Sequence, residues 1–62
     1  MDYAEYERQV VHAARITLRD IPEWSGRVCV DTVKKSWEEK LPVNLAAERV
    51  VDDTLYWDGA YC

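Results

Sequence analysis

A chain of 62 residues is one domain at most, and a domain of this length buries only about 60% of the surface its unfolded form exposes, so a marginal fold helped by a staple or a partner is expected. Lys and Arg number 8 against 12 Asp and Glu, a formal charge of -4, which argues against broad nucleic-acid or anionic-membrane binding because phosphate contacts need clustered cations. No secretory leader, bilayer-spanning run or catalytic, nucleotide or metal motif is legible, so the chain is expected to be a complete cytoplasmic protein, non-enzymatic, with no cofactor and no metal.

Over residues 3–19, apolar side chains recur at Tyr3, Tyr6, Val10, Ala13, Ala14 and Thr17, with Val11 and Leu18 at one edge, which is helical periodicity. Asp2 suits the N-cap, Glu5 and Glu7 the positive end of the dipole, and Arg15 and Arg19 the negative end. Glu7 falls inside the apolar stripe and is expected at its rim. The opposite face aligns Arg8, His12, Arg15 and Arg19 in one basic row, with Ile16 beside it. That row is either a solvated face in which Glu5 pairs with Arg8, or a second candidate surface that grips a phosphate or an acidic partner.

Pro22 and Ser25-Gly26 mark residues 20–26 as a connection, with Trp24 expected to fold back over the core. The run Val28-Cys29-Val30-Asp31-Thr32-Val33 is β-branched enough for a strand, but no second strand is present to pair with it. A helix over 27–41 is therefore expected, with Val30, Val33, Trp37 and Leu41 at helical spacing. Leu41-Pro42-Val43 is a short connection of the kind that joins antiparallel neighbours. A third helix over 44–58 follows, with Asn44 as its cap and Gly59 ending it. Ala46, Ala47, Val50, Val51, Thr54 and Trp57 form its inner face, Leu55 lies at the edge, and residues 60–62 make a short tail. The fold expected is an all-α, compact three-helix bundle, a single domain.

Cys29 and Cys62 match no zinc or redox spacing and are expected as reduced thiols, one in the core and one on the tail, with a disulfide between them as the alternative. Three Trp and four Tyr occur without a single Phe, a choice of rings with polar handles that suits half-wet positions and interfaces as well as a small core.

Helix two, the turn and helix three resemble in outline a helix-turn-helix. The outward face of the third helix, however, carries Leu45, Glu48, Arg49, Asp52, Asp53 and Tyr56, which phosphates would repel, so direct nucleic-acid binding is not expected. Asp52, Asp53 and Asp58 stand toward the helix end that disfavours negative charge. One explanation is cross-helix pairing with Lys34 and Lys35. The other is an acidic and aromatic partner-binding face made of Glu48, Arg49, Asp52, Asp53, Tyr56 and Asp58. As a metal site, Glu48 and Asp52 lack further ligands.

The functional expectation is a small intracellular inhibitor or adaptor that docks on a larger protein, whose basic nucleic-acid-binding surface would match the acids. Small acidic proteins rich in Trp and Tyr are of the kind that phages and mobile elements use against host machinery. The alternatives are a DNA-associated regulator of helix-turn-helix type and a structural subunit that forms a homodimer through its aromatic faces.

Overall fold

A computed structural model describes residues 1–57 and, at Trp57, the backbone alone; the expectations for Asp58, Gly59 and the 60–62 tail lie outside the described residues. Three helices pack against one another: α1 (Tyr3–Leu18), α2 (Val30–Glu38) and α3 (Val43–Trp57). Among the described residues there is no strand, and the expected all-α three-helix bundle is what forms.

The start of α1 follows its sequence, since the Asp2 carboxylate accepts the backbone N–H of Glu5 at 2.8 Å. Its buried stripe is Tyr6, Val10, Ala14 and Leu18, a strict repeat of four. Leu18, expected at an edge, is at the centre, while Thr17, expected inside, is exposed, with its hydroxyl 3.5 Å from the carbonyl of Ala13. The repeat of four winds slowly around a helix of 3.6 residues per turn and follows the ridge that meets a neighbouring helix at an angle. Glu7 is half-buried at the rim, as expected.

The second helix is shorter than expected at both ends, 30–38 and not 27–41. Residues 27–29 lie outside the helix, Cys29 with an extended backbone, and Val28 and Cys29 are buried in succession. One local and one tertiary bond hold them so. The Trp24 indole donates to the carbonyl of Arg27 at 2.7 Å, and the amide of Cys29 donates to the Thr54 hydroxyl on α3 at 3.1 Å. Trp24 packs half-buried against the core, as expected.

At its other end α2 stops in a Schellman turn, in which Lys40 donates to the carbonyl of Trp37 and Leu41 to that of Ser36, each at 3.0 Å. Lys40 supplies the left-handed residue, with φ of 60°, in a place where glycine is usual and a side chain costs about 1–2 kcal/mol. The inner face of α2 is Thr32, Val33 and Ser36, with Trp37 half-buried and Val30 exposed, so the face is rotated from the one expected. Its polar groups are satisfied locally, as where the Ser36 hydroxyl donates to the carbonyl of Thr32 at 2.8 Å.

α3 begins at Val43, and the carbonyl of Pro42 accepts its first bond, from Ala46, at 2.9 Å. Pro42 thus takes the place just before the helix and Asn44, expected there, stands in the first turn; the fixed φ of proline already aims the chain into a helix. Ala46, Ala47, Val50 and Thr54 are buried and Val51 is half-buried, as the pattern required.

The contacts fix the directions of the helices. Trp37 lies edge-on to Tyr3 at 5.8 Å and tilted on Tyr6 at 5.0 Å, and the Tyr6 hydroxyl donates to the carbonyl of Leu41 at 2.8 Å, so the start of α1 meets the end of α2. Cys29 meets Thr54 and Glu39 meets Arg49, so α2 and α3 form a hairpin. α1 and α3 therefore run side by side in the same direction, and both begin at the Pro42 end of the bundle.

Cys29 is buried and disulfide-bonded, which corrects the expectation of a reduced core thiol. Cys62 lies outside the described residues.

Candidate functional site

Along the outward side of α3 the expected partner-binding face divides. Asp53 turns toward α2, half-buried, and accepts a short bond of 2.6 Å from the Thr32 hydroxyl. That charge-assisted bond is an internal clasp between the helices of the hairpin. Arg49 is also engaged, donating to Glu39 at 3.1 Å in an ion pair whose two side chains are both about half exposed. The expected pairing of Lys34 and Lys35 with Asp52 and Asp53 does not form; among the described residues the hairpin is clasped by Thr32 and Glu39 instead.

Glu48 and Asp52 differ from these neighbours. Both are exposed, and neither has a hydrogen bond or ion pair among the described residues. They form one wall of a groove of about 560 Å³ between α1 and α3, with Asn44, Ala47 and Val51 from α3 and Ala13 and Thr17 from α1. Small side chains at Ala13 and Ala47 leave this furrow where larger ones would have closed it. Tyr56, one turn beyond Asp52, is 77% exposed, while Asp58 lies outside the described residues.

On α1 the row Arg8, His12, Arg15 and Arg19 is fully on the outside, and the expected Glu5 to Arg8 pair is absent among the described residues. Ile16, also exposed, stands by helical spacing between that row and the groove residues Ala13 and Thr17. The groove thus has an acidic α3 wall and an α1 edge that passes from small residues through Ile16 to cations.

Helical periodicity missed a second depression, of about 660 Å³, at the Pro42 end. Met1, Tyr6, Trp37, Leu41, Pro42 and Val43 line it, with Glu38 and Lys40 at its rim. Three separate segments meet there, and the only local signal was the apolar connector Leu41-Pro42-Val43. Near it, burial raises the pKa of Tyr3, helped by a hydrogen bond to Glu7 and by the charges of Glu7, Asp31 and Glu38, and burial alone raises that of Tyr6.

Among the described residues no group of three His, Cys, Asp or Glu is placed to hold a metal ion, and no helix is long and apolar enough to cross a membrane. No protein-family model, curated protein or solved structure matches the chain.

Proposed function

We propose that this chain is a protein-interaction module, an inhibitor or adaptor, which receives a basic amphipathic segment of a larger protein in the groove between α1 and α3. The observation that carries the reading is the contrast along one helix: Asp53 and Arg49 are consumed by the fold, whereas Glu48 and Asp52 line a groove with no partner among the described residues. Lys or Arg of the incoming segment would meet those two carboxylates, its apolar side would rest on Ala13, Ala47 and Val51, and Ile16 and Tyr56 would extend the contact at either edge. A basic nucleic-acid-binding surface has this chemistry. The hairpin run of α2 and α3, with acids on its outer side, supports a protein and not DNA as the ligand.

The test is affinity capture with the wild-type chain and with Glu48→Lys/Asp52→Lys, without reductant because Cys29 is disulfide-bonded. The expected result is one captured protein that the double charge reversal releases, with unchanged far-ultraviolet circular dichroism. Retention of the complex by the double variant would refute the assignment of this groove. Asp53 is left alone, because its change would loosen the hairpin itself.

A further inference from the structure

Cys29, at the extended entry to α2, is 4% exposed and disulfide-bonded. The chain has two cysteines, which leaves Cys62 as the one partner within it. The reach allows that closure. The Cys29 amide donates to the Thr54 hydroxyl at 3.1 Å, within the last turn of α3, which ends at Trp57. From Trp57 to Cys62 an extended chain spans about 17 Å, whereas bonded cysteines need Cα atoms only about 4.4–6.8 Å apart. The chain has length enough to leave α3, reverse and arrive at Cys29.

Beside that path lies a depression of about 500 Å³ lined by Ile21, Glu23, Trp24, Ser25, Thr54 and Leu55. It shares no residue with the two grooves already described. Thr54 joins it to the bonded cysteine, since the same side chain holds the Cys29 amide and lines the depression. Its apolar members are incompletely covered among the described residues: Leu55 is 44% exposed, and Ile21 and Trp24 are half-buried.

We infer that a Cys29–Cys62 disulfide straps residues 58–62 across this depression, and that the strap is a redox switch opened by a dithiol. Ala60 and Tyr61, next to Cys62, supply the apolar surface that covers Ile21, Trp24 and Leu55. The dithiol provides both electrons. One of its thiolates attacks the Cys62 sulfur, because Cys29 is shielded; the S–S bond breaks and Cys29 leaves as a thiolate. The second thiolate then displaces Cys62 from the mixed disulfide. Each protein sulfur takes up one proton given up by the reagent, which ends as its own disulfide. Opening uncovers the depression and removes a cross-link that encloses over half of the chain, in a domain whose small core makes such a staple decisive.

Three measurements on the full chain test this. Tryptic digestion without reductant should yield peptide 28–34 joined to peptide 50–62, from a protein that native mass spectrometry shows to be monomeric. In the nuclear Overhauser spectrum of the oxidised protein, residues 60–62 should contact Ile21, Trp24 or Leu55. Dithiothreitol should raise the titratable thiols from none to two per chain, abolish those contacts and lower the melting temperature by about 10–30 °C. Cys62→Ser should melt with reduced wild type and not respond to dithiothreitol. The peptide linkage and the Overhauser contacts are read on the folded, oxidised protein, so they decide the matter even where the variant does not fold. Free thiols before reduction, a disulfide-linked dimer, no contacts from residues 60–62, or a melting temperature that reduction leaves unchanged would overturn the inference.

Discussion

Replacing Asp53 by Ala and, separately, Asp52 by Ala compares two neighbouring carboxylates that share a helix but differ in what they touch. Both changes gain the same helix propensity, about 0.5 kcal/mol, and both remove one negative charge from the same half of α3, so these effects cancel in the comparison. Asp53→Ala alone removes the acceptor 2.6 Å from the Thr32 hydroxyl. Thr32 is only 5% exposed, and the sulfur of Cys29, 3.3 Å away, is a weak substitute. A hydrogen bond to a charged group contributes about 1.5–3 kcal/mol, and since Asp53 is only half-buried the lower end applies, about 1.5 kcal/mol. For a domain of this size that is about 6–12 °C in melting temperature. Thermal melts followed by circular dichroism measure it, and a double-mutant cycle with Thr32→Val isolates the pair, with an expected coupling of about 1 kcal/mol or more. If Asp52→Ala and Asp53→Ala melted within about 2 °C of each other, or the coupling were zero, the division of the acidic face into structural and available carboxylates would be wrong.

Lys40→Gly is expected to raise stability by about 0.5–1 kcal/mol, because relief of the left-handed strain exceeds the extra freedom glycine gives the unfolded chain; a lower melting temperature would contradict the turn described. On α1, Leu18→Ala should cost about 2–5 kcal/mol and leave much of the chain unfolded, whereas Thr17→Ala should stay within about 0.5 kcal/mol by urea titration. Tyr3 and Tyr6 hold their protons more tightly folded than unfolded, so their contribution is complete below the ordinary value of 10.0 and is lost as pH rises through the raised folded values. Stability should therefore fall in that alkaline window, and spectrophotometric titration should show late phases that vanish in Tyr3→Phe and Tyr6→Phe.

Where burial follows the chain's own period, the sequence was a sufficient guide: α1 and the inner face of α3 could be read because Tyr6, Val10 and Ala14, or Ala46, Val50 and Thr54, repeat at helical spacing. Element ends were less legible because distant groups decide them. Residues 27–29 stay out of the helix because the Thr54 hydroxyl takes the amide of Cys29, 25 positions earlier. The stop at Glu38 depends on a lysine accepting a conformation for which it has no preference, and Pro42 displaced Asn44 at the start of α3. At the candidate site the acids were visible but their division was not. Asp52 and Asp53 are adjacent letters, and only the fold shows that Thr32, 21 positions away, claims one of them. The second groove had no signature beyond its apolar connector, being assembled from the first residue, α1, α2 and that connector.

The common direction of α1 and α3 bears on how the protein is to be handled. Met1 lies in the lining of the Pro42-end groove, so a purification handle or fluorophore joined ahead of it would project from the mouth of that groove and compete with whatever enters. α3 finishes at the far end of the bundle, beside Cys29 and the Trp24 connection, well away from that mouth. A label introduced at the end of α3 therefore leaves the Pro42-end groove open, and the two label positions leave different faces of the same molecule free.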